Sequence, residues 1–120
     1  MAKDDYDKIV YQVLLYLYAT LKREVLFDLD EFKNSAKSNV SSDEYFSEIL
    51  IMMQDEGLIS DVLIAKAWGG KIVPESEYKD MRITARGIHY LKDNGTMNRV
   101  KNTFLESKGL IADMIIRLAV

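Results

Sequence analysis

Histidine, cysteine and carboxylate side chains would be the first candidates for catalysis, and this chain offers few arrangements of them. Its only histidine, His89, lies in the stretch ITARGIHYLKDNG at residues 83–95. A catalytic histidine needs a nucleophile, an orienting carboxylate or a metal, and no such partner stands at a recognisable spacing. The absence of cysteine excludes disulfides and thiolate chemistry. We expect His89 to be a surface or boundary residue without a chemical role.

Carboxylates are concentrated in the motif DLDEF at residues 28–32. The alternating acids lack the glycine and the distal glutamate of a calcium loop. A helix dipole favours acidic residues in the first turn, so the motif predicts the start of a helix instead. Glycine-rich phosphate loops and the G-x-S-x-G and H-E-x-x-H motifs are missing. We therefore predict no catalytic residue, no metal and no cofactor. An enzyme would need an unexpected cleft in which carboxylates have shifted pKa values.

The composition indicates one globular domain over residues 1–120. The net charge is −3, but residues 1–57 hold 6 Lys/Arg against 12 Asp/Glu, whereas residues 82–120 hold 7 against 3. The overall acidity disfavours nonspecific binding to nucleic acid, while the asymmetry allows a basic patch in the later half. A charged N-terminus and the lack of a long apolar run predict a cytoplasmic protein without a membrane span.

Apolar spacing predicts a first helix over residues 5–22 with two apolar faces. A main stripe runs from Tyr6 to Leu21, and Tyr11, Leu15 and Tyr18 form a second stripe. A helix that is apolar on both sides needs cover on both sides. The second stripe therefore predicts contact with another element or with a second chain.

Three further segments before residue 84 have clear signals. A short helix is predicted over 28–37, and the capping-box pair Ser41 and Glu44 predicts a helix over 42–56 that ends at Gly57. Strand-like sequence follows in LISDVLIAKA, and WGGK can supply a tight turn. The segments KIV and YKDMRI are predicted as return strands.

The stretch that holds His89 then reads as a helix with defined ends. Thr84 is predicted to cap it, and Gly87 would allow a close approach to the sheet. Gly95 is predicted to end it, after which one stripe of apolar residues predicts a long terminal helix over 96–120. The order predicts an α+β, mostly α fold: a winged helix-turn-helix with an extra post-wing helix and a long C-terminal helix.

The terminal helix offers apolar residues that could cover the second stripe of the first helix. These residues include Leu110, Met114 and Leu118. A compact monomer would pack them against Tyr11, Leu15 and Tyr18, whereas pairing across a two-fold axis would make an isologous homodimer. We predict the homodimer, with 96–120 as the packing helix.

The stretch ITARGIHYLKDNGTMNRV, with DEGLISDV before the wing, resembles the YjcQ-like family of small bacterial and phage-encoded proteins. The residues that carry the resemblance are Ile83, Thr84, Gly87, Ile88, Tyr90, Leu91, Asn94 and Met97. The resemblance implies a winged-helix fold and a frequent home in prophages, but no established activity.

In helix-turn-helix domains the second helix of the motif enters the major groove, and here that helix is 42–56. It contains no Lys or Arg, and its predicted outward residues are Glu44, Ser47, Glu48, Ile51, Gln54 and Asp55. Carboxylates among phosphates oppose ordinary groove reading. DNA contact would then come from the wing and its flanks, through Lys66, Lys71, Lys79 and Arg82. Trp68 at the wing tip is expected to fold back on the hairpin or to anchor a partner.

These observations lead to a non-enzymatic protein of phage or prophage type that acts as a small regulatory or accessory factor. In the first version it touches DNA through the wing. In the alternative it is a protein-interaction or assembly module whose acidic helix 42–56 binds a basic protein.

Overall fold

The structure is a computed structural model that describes residues 5–38, 40–67 and 70–93. Several predicted features lie outside these residues. They are Trp68, the cap at Gly95 and the terminal helix 96–120 with Leu110, Met114 and Leu118.

The first helix is the centre of the core. α1 spans Tyr6–Leu21, where Asp5 caps the N-terminus and accepts a hydrogen bond from the Lys8 N–H at 3.3 Å. Every residue from Ile9 to Leu17 is buried, which confirms that the helix is covered on more than one side. Arg23 follows the helix with a φ of 64°, a left-handed conformation that an arginine seldom adopts.

The second and third helices begin at side-chain caps. α2 spans Leu29–Phe32 and continues into a π-helical segment over Lys33–Lys37, within the range predicted for one short helix. α3 spans Asp43–Asp55 and ends before Gly57, which has the predicted left-handed φ of 81°. The predicted capping box is wrong by one residue, because Ser42 has the extended conformation and accepts from the Tyr45 N–H at 3.1 Å.

The strand segments are shorter than predicted, and they form two separate sheets. β1 (Ile59–Ser60) pairs antiparallel with β4 (Arg82–Ile83), and β2 (Ala65–Ala67) pairs antiparallel with β3 (Gly70–Ile72) as a hairpin. Asp61 adopts a φ of 63°, which interrupts the single strand that LISDVLIAKA predicted.

The return strand predicted in YKDMRI is also mostly wrong. A 3-10 helix occupies Glu75–Asp80, and only Arg82 and Ile83 are extended in β4. The helical turn places the buried Tyr78 ring 5.3 Å from Phe32 and 5.7 Å from Phe46, between ring centroids. This aromatic packing outweighs the strand preference of the segment.

The last described helix, α4 (Ala85–Asp93), confirms the predicted joint. The Gly87 N–H donates to Thr84 Oγ1 at 3.0 Å, and Thr84 Oγ1 donates to the Gly57 carbonyl at 2.6 Å. A Cβ on Gly87 would overlap the Leu58 carbonyl oxygen and lie 2.8 Å from Ile83 Cγ1. The joint thus ties β4 and α4 to the end of α3.

The described residues therefore form a mostly helical α+β fold with small antiparallel sheets, and this class was predicted. Within these residues, the helices fall short of the length and apolar character that a bilayer crossing requires.

Candidate interaction surfaces

The outer face of α3 is a row of carboxylates around one exposed thioether. Glu44, Glu48, Met52 and Asp55 are exposed at spacings of four, four and three, so they share one side of the helix. Asp43 and Glu56 extend the row at its ends, and Met52 retains 45% of its surface. We call these six residues the acidic face.

Two residues that were predicted to point outward are instead engaged with the segments that follow α3. Ser47 is 1% exposed, and its Oγ accepts a hydrogen bond from the Val73 N–H at 3.0 Å. Gln54 Oε1 accepts from the Val62 N–H at 2.8 Å. Both are therefore anchors for the chain on either side of the β2–β3 hairpin, and the burial of Ser47 corrects the prediction.

A charged cluster fixes the start of α3. Lys37 Nζ lies 2.7 Å from Asp43 Oδ1 and 2.8 Å from Glu75 Oε2, and only 10% of its side chain is exposed. The ammonium also lies 5.6 Å from the ring centroids of Phe46 and Tyr78. Burial alone would lower the pKa of Lys37, but its hydrogen bonds to the two carboxylates raise it overall. The cluster joins three segments and is structural.

The four cations predicted to contact DNA fall into two groups. Lys66 and Lys71 are direct cross-strand partners in the β2–β3 hairpin, and both are exposed. Lys79 lies in the 3-10 helix and Arg82 in β4, which belongs to the other sheet. The predicted contacts from the wing and from its flanks therefore lie in different elements, with Lys66 and Lys71 in the hairpin and Lys79 and Arg82 in the segment after it.

Lys79 and Arg82 line a cleft between the end of α1 and β4, and Arg23 joins them there. We call it the basic cleft; its volume is about 480 Å³. Its apolar lining comprises Leu17, Leu21, Val25, Leu26, Phe27, Met81 and Ile83. Sequence reasoning missed Arg23 and Leu26, although an arginine followed by an isolated apolar run in KREVLF was the available signal.

His89 is exposed on α4 and lines a second, shallow cleft between α1, α3 and α4. Charged neighbours in this cleft are Asp55, Glu56, Arg86 and Asp93. Burial raises the pKa of Tyr6 and of Tyr90, and nearby carboxylates add to both shifts. Across residues 5–38, 40–67 and 70–93, the histidine and carboxylates form no group with the geometry of a metal site.

The DLDEF acids act at a helix start, as predicted. Asp28 caps α2, and its Oδ1 accepts from the Glu31 N–H at 3.0 Å. The Tyr16 hydroxyl donates to Glu31 Oε1 at 3.2 Å and accepts from the Asp28 N–H at 3.1 Å. Burial raises the pKa of Tyr16 to about 12, so this hydroxyl stays protonated as a hydrogen-bond donor.

The second stripe of α1 is largely covered within the single chain. Tyr11 and Leu15 are buried, and Tyr18 is half-buried. The Tyr11 ring packs against Tyr90 of α4 with centroids 5.6 Å apart. Part of the contact predicted for the second stripe of α1 therefore comes from α4.

The sequence pattern of the family described as YjcQ protein matches residues 11–110, so this mostly helical α+β chain belongs to the YjcQ family. The match confirms the resemblance that the stretch around His89 indicated. No curated protein and no solved structure matches the chain.

Proposed function

We propose that the chain is a non-enzymatic winged-helix domain of phage or prophage type that acts as an accessory factor by binding a basic protein. The order of α1, α2, α3 and the β2–β3 hairpin supports the winged-helix assignment. In that assignment α3 occupies the position of the recognition helix, and α4 is the extra helix after the wing. The observation that carries the proposed function is the acidic face of α3.

The acidic face is unsuited to reading a DNA groove. Base readout uses hydrogen-bonding side chains near cationic ones, because phosphate contacts supply most of the affinity. α3 has no Lys or Arg, and its Ser47 and Gln54 side chains accept hydrogen bonds from Val73 and Val62. The exposed side chains of α3 are carboxylates and Met52.

The same face suits a protein partner that carries Lys or Arg around an apolar pocket. Glu48 precedes Met52 by one helical turn and Asp55 and Glu56 follow it, so an apolar contact has carboxylates on both sides along the helix. Exposed methionine adapts to irregular surfaces, and complementary charge favours encounter and orientation. The proposal needs only these exposed groups.

Site-specific photocrosslinking in cells that express the full chain tests the proposal. A photoreactive residue replaces Met52 in one variant and Leu63 in the control, because Leu63 is 51% exposed and lies outside the acidic face. We expect a discrete protein adduct from position 52 that disappears when Glu48 and Asp55 are changed to Lys. The purified adduct partner should then bind the full chain in a titration.

Three results would overturn the proposal. They are nucleic-acid adducts alone at position 52, equal protein adducts at positions 52 and 63, and adducts that persist in the Glu48→Lys/Asp55→Lys variant.

A second candidate function, DNA contact through the wing, is favoured by one observation. Lys66 and Lys71 are adjacent across the hairpin and exposed, so together they can meet one phosphate strand. Gel shifts at low salt should then weaken in Lys66→Glu and Lys71→Glu but not in Lys79→Glu or Arg82→Glu, which lie elsewhere. Two contacts predict a shallow salt dependence, with a log–log slope of about −2.

The homodimer and the regulatory role stay predictions. Light scattering of the full chain would measure its mass. In the described residues, only Tyr18 of the second α1 stripe keeps substantial surface for another chain.

A further inference from the structure

The basic cleft has an apolar side that is unusually open. Leu26 retains 84% of its surface and Leu21 retains 42%, and both border the cleft. Single exposed leucines are normal on protein surfaces. Here they adjoin an apolar floor that includes Val25, Met81 and Ile83, which makes a continuous place for an aliphatic side chain.

Three cations and one carboxylate, Asp80, line the cleft around this apolar surface. Arg23, Lys79 and Arg82 are all exposed, and Lys79 has a loose ion pair with Asp80 at 3.9 Å. Within the described part of the chain, Arg23 and Arg82 have no ion-pair partner. The left-handed φ of Arg23 belongs to the end of α1, where the Arg23 N–H donates to the Thr20 carbonyl at 3.1 Å and the Glu24 N–H donates to the Ala19 carbonyl at 3.0 Å.

The cleft also borders β4. Ile83 of this strand lines the cleft and is only 8% exposed, so it belongs to the apolar floor.

We propose that the basic cleft binds an extended acidic segment of a partner protein, with an aliphatic side chain on Leu21 and Leu26. Its carboxylates pair with Arg23, Lys79 and Arg82. The site differs from the acidic face, so it is independent of the proposed function.

An acidic peptide fits better than nucleic acid because the cleft offers apolar surface as well as positive charge. Nucleic-acid sites are dominated by cations along a phosphate track, whereas here three cations enclose two exposed leucines. An alternating acidic and aliphatic strand satisfies both the charge and the apolar surface.

The probe is a fluorescein-labelled six-residue peptide of alternating glutamate and leucine, titrated with the full chain by fluorescence anisotropy. We expect saturable binding that weakens about tenfold in Arg82→Glu and in Leu26→Ser. Matched controls are Lys66→Glu and Leu63→Ser, which make the same chemical changes at exposed positions outside the cleft. The controls should bind like the parent chain.

Control ligands decide between the other occupants. A peptide of alternating lysine and leucine and one of alternating glutamate and serine should both bind at least about tenfold more weakly than the probe. The proposal is overturned if the probe does not bind, if the lysine peptide or single-stranded DNA binds as well, or if the control variants lose binding equally. Self-association that Arg82→Glu abolishes would assign the cleft to a second copy, which also overturns it.

Discussion

The acidic face of α3 and the basic cleft are built alike in chemistry but differently in the chain. Each has an apolar side chain, Met52 or Leu26, surrounded by charges of mainly one sign. The acidic face comes from one helix, so its spacing follows from helical periodicity. The basic cleft joins residues 17–27 to residues 79–83, which only the packed fold brings together. Helical spacing therefore predicted the exposed carboxylates Glu44, Glu48 and Asp55, but it missed Met52 and placed the buried Ser47 on the outside. A surface made of two distant segments could not be predicted from spacing at all.

A change at Gly87, in the joint that ties β4 and α4 to the end of α3, should have the largest effect on stability. Gly87→Ala should lower the free energy of unfolding by about 3 kcal/mol, because the new methyl group would overlap the Leu58 carbonyl and crowd Ile83. An open helical position would show the opposite sign, since alanine favours helix by about 1 kcal/mol over glycine. Urea denaturation followed by circular dichroism measures the change.

The exposed Ala85 in the same helical turn provides the control for that joint. Ala85→Ser should change stability by no more than about 0.5 kcal/mol. A Gly87→Ala chain as stable as the parent would show that β4 and α3 are not held together by this close approach.

Removing Lys37 from the charged cluster should destabilise the start of α3, which carries the acidic face, and should leave the basic cleft unchanged. Lys37→Ala removes two short carboxylate contacts at the start of α3, so we expect a loss of about 2 kcal/mol in denaturant unfolding. Lys79→Ala is the control, because that side chain is exposed and its single ion pair is loose. Equal losses in the two variants would contradict the assignment of Lys37 as a structural junction.

The anchor between α3 and the hairpin should have a smaller effect. Ser47→Ala leaves the Val73 N–H without its acceptor in a buried place, which should cost about 1 kcal/mol. Amide hydrogen exchange at Val73 should accelerate more than exchange within α1. Unchanged protection at Val73 would show that Ser47 does not hold the hairpin.

Acid should lower the stability of the chain through Glu75, which belongs to the charged cluster around Lys37. Lys37 and Lys33 lower the pKa of Glu75 below its ordinary value of 4.5. Its stabilisation is therefore complete above that ordinary value and is lost as the pH falls through the lowered value in the folded chain. Glu75→Gln should remove this part of the acid dependence in pH-resolved thermal melts. If the melting temperature of the variant fell with decreasing pH as steeply as that of the parent chain, the contribution of Glu75 to acid sensitivity would be contradicted.

The smallest expected effects are those of the exposed apolar residues that define the comparison. Met52→Ser and Leu26→Ser should each change the free energy of unfolding by no more than about 0.5 kcal/mol, because both side chains are largely exposed. Their effects should appear in binding instead, with Met52→Ser affecting only the acidic face and Leu26→Ser only the basic cleft. A large loss of thermal stability in either variant would show that the residue belongs to the core.

Local signals predicted much of the fold. Thr84, Gly57 and Gly87 act where a cap, a left-handed turn and a close approach were predicted, and the DLDEF acids stand at a helix start as predicted. Failures occur at the Ser41 cap, in the strand through Asp61 and in the return strand around Tyr78. Around Tyr78 two local conformations were chemically reasonable, and contacts with Phe32 and Phe46, which are distant in the chain, selected the helical turn.

The sequence by itself determined the helix periods, the absence of cysteine chemistry and the charge of α3, because these depend on residue type and near spacing. Tertiary structure alone decided that Ser47 is buried, that the four predicted cations separate into two pairs, and that Arg23 meets Arg82 in a cleft. These outcomes depend on which segments pack together, and packing is a property of the whole core, whose contacts join residues far apart in the chain.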